Sequence, residues 1–226
     1  MEIRRLSLLE GARRATGTTI IIDVFRAFTT AAFVMANGAV TIIPVSTVEE
    51  AFELRRNNPG WIVMGEIHGH KVSGFEYGNS PDEVSRVDFT GKTIIQRTSS
   101  GVQGIINASH ADDVLLGSFV TAEATVKYIK SRNPTVVSLV AMGWEGNYEA
   151  IEDELCAGYL ENRLRGGHPD FTDIMKRIRA DPQGAKFFDT KQTIFREGDF
   201  HSAMSLDQFD FALRVARDVP MHIEKI

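Results

Sequence analysis

The sequence has little of the features that mark secreted, membrane-spanning or nucleic-acid-binding proteins. Its single cysteine, Cys156, cannot form a disulfide within the chain or a thiolate zinc site. No apolar run approaches the roughly 20 residues that a membrane-spanning helix needs. Lys and Arg total 25 against 30 Asp and Glu, and no basic block occurs, so we expect no binding to nucleic acid. The first residues lack the apolar stretch of a secretion signal, and we therefore expect a cytoplasmic protein.

What is present is an ordinary globular composition, with 226 residues, 43% hydrophobic and 24% charged. Short apolar runs alternate with helical patterns, which is typical of an α/β protein. We predict a mainly parallel or mixed sheet with helices on both faces, a three-layer α/β/α arrangement. We expect one domain over 1–226, with the less regular segment 166–226 packed onto it.

The hydrophobic pattern also predicts where the elements lie. A nearly continuous apolar run at 18–23 predicts a strand that is buried on both faces. A final apolar segment at 209–215 predicts a further strand at the edge of the sheet. The other predicted strands are 40–45, 61–64, 92–96, 113–116 and 135–141, and the predicted helices are 27–37, 46–56, 121–132, 147–163 and 171–179.

Ligands of open α/β sheets bind beyond the carboxyl ends of the strands, so we examined those ends in turn. The first is Asp23, which is followed by Arg26, Thr29 and Thr30. A carboxylate suits a hard cation such as Mg²⁺, and a guanidinium matches a phosphate or sulfonate in a fork. The two hydroxyls offer further donors to an anion. The alternative is a local role, in which Asp23 caps the next helix and pairs with Arg26.

The second strand end opens a loop at 65–81 that is long enough to be functional. Glu66 follows its strand directly, as Asp23 does, and the two carboxylates are expected to converge. Asn79 and Ser80 precede a proline and so lie at a predicted helix N-terminus. The His-x-His pair at 68–70 invites a metal interpretation, but alternate residues of a loop more often face solvent.

The third strand end is a turn of small polar residues that follows Arg97. Backbone N–H groups and hydroxyls in such a turn point toward one place, which suits a phosphate. The turn is not a Walker A loop, because the Gly-Lys-Ser/Thr ending is missing. The residues of this turn are Thr98, Ser99, Ser100 and Gly101.

The fourth feature is a run of acids at the start of a predicted helix, Glu152, Asp153 and Glu154. The helix macrodipole accounts for one or two acids in a first turn. Three in succession turn at least one toward the core, where an unpaired charge is costly and a metal ion would compensate it. Cys156 lies on the apolar face of the same helix and is predicted to be a packed residue.

Together these segments resemble the 2-phosphosulfolactate phosphatase family, the Mg²⁺-dependent phosphatases of coenzyme M biosynthesis. They occur in the order typical of the family. One difference is that the family's usual Thr-x-Asn-Gly-Thr is Thr-Ser-Ser-Gly-Val at 98–102, a change in a predicted anion-binding turn. The matching pieces are Asp-Val-Phe-Arg-Ala-Phe-Thr-Thr at 23–30, Gly-Glu at 65–66, Gly-Phe-Glu-Tyr-Gly-Asn-Ser-Pro at 74–81, the turn at 98–101, and Glu-Asp-Glu-Leu-Cys-Ala-Gly at 152–158.

The resemblance implies a phosphatase that uses Mg²⁺. On this interpretation Asp23, Glu66 and one of Glu152 or Asp153 hold the ion. Arg26 and the turn at 98–101 then stabilise charge on the phosphoryl oxygens. The nucleophile is either a metal-activated water, which we favour, or Asp23 itself.

The resemblance also implies a small, strongly anionic phosphorylated substrate, whose second anion Arg97 is expected to bind. The rival hypothesis from another class is a non-catalytic module that binds small anions or nucleotides. It uses the same anion-binding turn but has no need of the carboxylates. Membrane and nucleic-acid partners are not expected. A homodimer is suggested only by the fact that homodimers are common among proteins.

Overall fold

A computed structural model describes all 226 residues, and a single ten-stranded mixed sheet forms its centre. From one edge to the other, the strands lie in the order β1-β8-β2-β7-β9-β10-β3-β6-β4-β5. The strands are β1 (Glu2–Ser7), β2 (Gly17–Ile22), β3 (Thr41–Val45), β4 (Ile62–Ile67), β5 (His70–Lys71), β6 (Thr93–Arg97), β7 (Ala111–Gly117), β8 (Val136–Ala141), β9 (Leu213–Ala216) and β10 (His222–Lys225).

Ten α-helices pack around this sheet, and none is both long and apolar enough to cross a membrane. Two short 3₁₀ turns lie at Phe119–Thr121 and Lys186–Phe188. The helices are α1 (Leu8–Arg14), α2 (Ala27–Ala36), α3 (Val48–Asn57), α4 (Pro81–Val84), α5 (Gly101–Asn107), α6 (Ala122–Arg132), α7 (Ile151–Leu164), α8 (Phe171–Ala180), α9 (Pro182–Ala185) and α10 (Glu197–Ala203).

The predicted three-layer α/β arrangement is confirmed by the way in which β2 packs. Ile20 and Ile22 belong to a core cluster that includes residues of α6 and α7. Ile21, which points the other way, belongs to a second cluster with residues of α2 and α5. Because helices cover both faces, β2 is buried along almost its whole length.

The sheet contains two parallel blocks that run in opposite directions. The first block is β1, β8, β2 and β7, and the second block is β3, β6 and β4. Between them, β9 and β10 contribute three antiparallel pairings in succession, each of which reverses the strand direction. Strand ends from both blocks nevertheless reach one cleft, so the sheet curls rather than lying flat.

Two predicted elements differ from the structure. The segment predicted as an edge strand is β9, which lies in the middle of the sheet, because it forms a hairpin with β10 that joins the two blocks. The helix predicted from residue 147 begins at Ile151, because Gly143, Glu145 and Gly146 adopt left-handed backbone conformations and form a turn. The N-terminal strand β1 was not predicted.

Candidate active site

A cleft opens where strands of both blocks end. Thirteen residues line it, and they come from the segments that follow β2, β6 and β8, from the stretch between the end of β4 and the start of α4, and from the C-terminal part of the chain. The predicted convergence of Asp23 and Glu66 is confirmed, since both carboxylates line this cleft. The predicted site residues that line it are Asp23, Arg26, Glu66, Asn79, Ser99 and Ser100.

Asp23 follows β2 directly and is fixed by two backbone donors. Its Oδ1 accepts the Ala27 N–H at 3.0 Å, and the Gly101 N–H also donates to the carboxylate. A Cβ at Gly101 would lie 2.9 Å from Asp23 Oδ2, so only glycine permits this approach. Burial, with a smaller contribution from the negative charge of Glu66, raises the pKa of Asp23 to about 6.

Glu66 is held by the turn in which the sequence predicted an anion site. Its Oε1 accepts the Ser99 N–H at 2.6 Å, and its Oε2 accepts the Gly69 N–H at 2.6 Å. The neighbouring Gly101 N–H donates to Asp23. The turn does bind anions, as its sequence indicates, but these anions are the protein's own carboxylates.

Most hydroxyls of the predicted phosphate site bond to the backbone instead of facing the cleft. Thr29 and Thr30 are fully buried in α2, and each donates to a carbonyl of the preceding turn at 2.8 Å. Thr98 Oγ1 accepts an N–H of α5 at 3.1 Å. Ser100 donates to the Gly143 carbonyl at 2.7 Å. These four hydroxyls shape the loops around the cleft.

The acids of α7 separate into buried and partly exposed groups, as the run of three acids predicted. Asp153 is buried, and its two oxygens accept the Val24 and Gly143 N–H groups at 2.8 Å each. Glu152 is also buried, and its Oε2 has no hydrogen-bond partner. Glu154 turns outward and pairs with an arginine of β1.

The buried acids of α7 have raised pKa values. Burial, together with the charge of Asp23, raises the pKa of Glu152 to about 7. Burial also raises the pKa of Asp153 well above its ordinary value, with further contributions from Glu152 and Asp23. Lys186 opposes the shift at Glu152, while burial lowers its own pKa to about 8. Its Nζ lies 4.6 Å from the centre of the Trp144 ring.

Arg26 pairs with a residue that sequence reasoning missed. Its Nη1 lies 2.7 Å from Oδ2 of Asp199 in α10, so the proposed local pairing with Asp23 is wrong. Its Nη2 donates to the Gly69 carbonyl at 2.8 Å, and the ring of Phe195 lies 5.0 Å from the guanidinium carbon. No motif signals Asp199, because an acid in a first helical turn is expected from the macrodipole alone.

The remaining predicted residues lie beside this pair. Ser80 Oγ donates to Asp199 Oδ1 at 2.5 Å and also caps α4. Asn79 is buried, and its Oδ1 has no hydrogen-bond partner. Arg97 Nη1 donates to the Glu66 carbonyl at 2.5 Å and to Ser99 Oγ at 3.0 Å. Asn79 Oδ1 and Arg97 Nε are therefore both buried without a hydrogen-bond partner.

The histidines of the β4–β5 hairpin face solvent, as the sequence favoured. His68 contacts Glu145 across the mouth of the cleft, and His70 lies in the exposed strand β5. No three His, Cys, Asp or Glu side chains lie close enough together to form a ready-made metal site. Cys156 is fully buried, as predicted, and burial raises the pKa of its thiol well above the ordinary value.

Comparison with known families identifies the group to which the chain is related. The chain matches the family model described as 2-phosphosulpholactate phosphatase over residues 5–193. The chain belongs to this family. The family is described as a phosphatase, so the chain is an enzyme of the phosphoric monoester hydrolase class. The match includes the four carboxylates and Arg26, and it ends before Phe195 and Asp199.

Individual relatives agree with the family match. The chain is 32% identical over 202 residues to the probable 2-phosphosulfolactate phosphatase of Bacillus subtilis (strain 168), covering 88% of this chain and 87% of the relative. It is 37% identical over 148 residues to the protein of the same description from Thermotoga petrophila, covering 66% and 63%. A third, from Caldicellulosiruptor saccharolyticus, is 36% identical over 155 residues, covering 67% and 64%.

Proposed function

We propose that this enzyme hydrolyses the phosphate ester of a small anionic hydroxy acid with the help of Mg²⁺. The first substrate to test is 2-phosphosulfolactate, which would give sulfolactate and phosphate. The family match and the names of the relatives support this choice. A role in coenzyme M biosynthesis, a cytoplasmic location and a homodimer stay predictions from the sequence.

The observation that carries the proposal is an excess of buried negative charge. Burial raises the pKa of Asp23, Glu152 and Asp153, and the negative charge of Glu66 contributes at Asp23 while that of Asp23 contributes at the other two. Burial lowers the pKa of Lys186 to about 8, and the charge of Arg26 is balanced by its buried partner. A phosphate group would be repelled from this cleft unless a further cation entered with it.

The donor set fits Mg²⁺ in its chemistry. All the available groups are hard carboxylate oxygens, and Oε2 of Glu152 is buried without a partner. Mg²⁺ usually binds through one or two carboxylates, several waters and the substrate phosphate, so it does not need three carboxylates in contact. We propose that Asp23, Glu66, Glu152 and Asp153 provide its ligands or orient its waters.

When bound, Mg²⁺ would supply positive charge to the phosphoryl oxygens and lower the pKa of a bound water. Arg26 has two N–H groups free to bind the phosphoryl oxygens, since three are already engaged. Asn79 borders the same space. We favour water over Asp23 as the nucleophile, because Asp23 accepts backbone N–H groups from Ala27 and Gly101, which stabilise the carboxylate.

The test is phosphate release from 2-phosphosulfolactate with and without Mg²⁺. We expect EDTA to abolish turnover and Mg²⁺ to restore it. Glu152→Gln should lower kcat/KM by about 10²–10³-fold, a loss typical of an electrostatic group in an active site. Glu154→Gln is the matched control on the same helical turn, and it should stay within about 3-fold of the wild type. Equal losses in the two variants, or turnover indifferent to EDTA, would contradict the proposal.

The non-catalytic alternative predicts a different result. A small-anion module needs free donors, whereas the Ser99 and Gly101 N–H groups already hold Glu66 and Asp23. Because these donors are already occupied, the turn favours the phosphatase hypothesis over the binding module. Tight binding of inorganic phosphate that is unaffected by EDTA, without turnover of any phosphorylated hydroxy acid, would reverse that preference.

A further inference from the structure

Arg26 enters the cleft with most of its hydrogen-bonding capacity already used. A guanidinium has five N–H groups. Here Nη1 donates to the Ile194 carbonyl and to Asp199, and Nη2 donates to the Gly69 carbonyl. Two N–H groups remain for a ligand. The direction of these two groups therefore depends on what holds the other three.

Residues 194–199, which we call the C-terminal arm, provide most of the contacts that fix the Arg26 side chain. Ile194 offers a carbonyl at 2.9 Å, Phe195 covers one face of the guanidinium, and Asp199 provides the counter-charge. The family match ends at residue 193, just before these three groups. Arg26 thus lies within the matched segment, while the groups that hold it lie mainly outside.

Both carboxylate oxygens of Asp199 accept hydrogen bonds from the protein. Its Oδ1 accepts the Ser80 hydroxyl at 2.5 Å and the Asp82 N–H at 3.1 Å, and its Oδ2 accepts from Arg26. Its side chain has no exposed surface, so it cannot touch a substrate in the cleft. Any effect that Asp199 has on the reaction must therefore act through the groups that it holds.

The other negative charges near Arg26 are carboxylates of the cleft itself. Asp23 and Glu66 line the same cleft as Arg26. Without the charge of Asp199, the guanidinium would be drawn toward these two groups and into the space of a bound phosphoryl group. We propose that Asp199 is a positioning residue, which holds Arg26 back from the carboxylates and directs its two free N–H groups at the phosphoryl oxygens. This inference rests on the proposed function.

A double-mutant cycle between Asp199 and Arg26 tests the proposal. Asp199→Asn keeps the shape and removes the charge, and it should lower kcat about 30-fold while KM changes less than about 3-fold. Arg26→Met should lose at least as much. The double variant should be no slower than Arg26→Met alone, because Asp199 has no role once the arginine is gone. Asp207→Asn, a change to an exposed acid later in the chain, should leave kcat unchanged.

A purely structural role for Asp199 predicts a different pattern. It would lower the melting temperature without the kinetic coupling, and the losses in kcat would multiply in the double variant. If Asp199→Asn does not fold, the double variant, which buries no unpaired charge, is compared with Arg26→Met. A double variant at least 10-fold slower than Arg26→Met, or a folded Asp199→Asn with wild-type kcat, would overturn the proposal.

A failure of the proposed function can be distinguished from a failure of the positioning role of Asp199. If the wild-type enzyme releases no phosphate from any substrate tested, binding of inorganic phosphate is measured by calorimetry in the presence of Mg²⁺. Asp199→Asn should then bind phosphate at least 10-fold more weakly than the wild type, because inorganic phosphate, unlike a substrate, has no organic group that could bind independently of Arg26. Unchanged binding would refute the positioning role, whatever the true reaction is.

Discussion

The two sides of the cleft are held in place by different kinds of interaction. On the strand-end side, Asp23, Glu66 and Asp153 accept backbone N–H groups, so their positions are set by the path of the main chain. On the C-terminal side, Arg26 also donates to two backbone carbonyls, but its counter-charge and the ring that covers it come from side chains. The first side should therefore be sensitive mainly to changes of the backbone, whereas the second side should also be sensitive to changes of the side chains.

The largest expected effect comes from disturbing the backbone on the strand-end side. Gly101→Ala would place a Cβ 2.8 Å from the Phe28 ring and 2.9 Å from Asp23 Oδ2. Because a contact this close forces Asp23 or α5 to move, we expect kcat/KM to fall by about 10²-fold or more. Steady-state phosphate release with a melting curve measures both the kinetic and the structural consequence.

A second glycine provides the matched control. Gly158 lies within α7, and a Cβ there would have its nearest contact with Arg5 Nη1 at 3.4 Å. Gly158→Ala should keep full activity and raise stability by about 0.5–1 kcal/mol, as expected for alanine in a helix. If both alanine variants were equally active, the close approach of Gly101 to Asp23 would have no functional meaning.

Sequence-based prediction identified residues on the strand-end side of the cleft but missed the key residue on the C-terminal side. Asp23 and Glu66 were expected to converge because both follow buried strands, and strand ends are visible as the end of an apolar run. Asp199 was not foreseen, because its significance depends on a contact with Arg26 across 173 positions of sequence. An acid on a short helix looks the same in sequence whether it faces solvent or a buried guanidinium.

The fold shows a similar limit. Strands such as β2 and β8 contain apolar runs and few charged residues, and their positions were predicted within a few residues. The place of β9 in the sheet was not, because its pairing with β7 joins segments about 100 residues apart and leaves no local trace. The turn at 98–101 was predicted to bind a substrate phosphate, whereas its Ser99 N–H donates to the Glu66 carboxylate, a contact that no local pattern reveals.

An intermediate effect is expected from pH in the protein without metal. The pKa of Asp23 is raised to about 6 and that of Glu152 to about 7, so the folded protein binds more protons than the unfolded chain between about pH 4 and 7. Stability in EDTA should therefore fall as the pH rises through this window, by about 3 kcal/mol for a shift of about 2 units. Thermal melts from pH 5 to pH 8 measure the fall.

Adding Mg²⁺ and including an Asp23 variant make the pH-dependent thermal melts a more specific test. Mg²⁺ should raise the melting temperature more at pH 8 than at pH 5, because the carboxylates must be ionised to bind it. Asp23→Asn should flatten the pH dependence in EDTA, since it removes one of the groups that titrate. A melting temperature in EDTA that rises from pH 5 to pH 8 would show that these acids are not forced to ionise in a buried site.

The smallest expected effect lies on the C-terminal side and concerns the ring that covers Arg26. Phe195→Leu removes a cation–π contact at 5.0 Å but leaves the Asp199 carboxylate in place, so we expect kcat to fall only about 2–5-fold. Phe188→Leu is the control, because its ring lies 3.9 Å from the Arg179 guanidinium, away from the cleft. Both variants should lose similar stability, and only Phe195→Leu should turn over more slowly. A loss at Phe195 as large as that of Asp199→Asn would mean that the ring, and not the buried charge, chiefly holds the arginine.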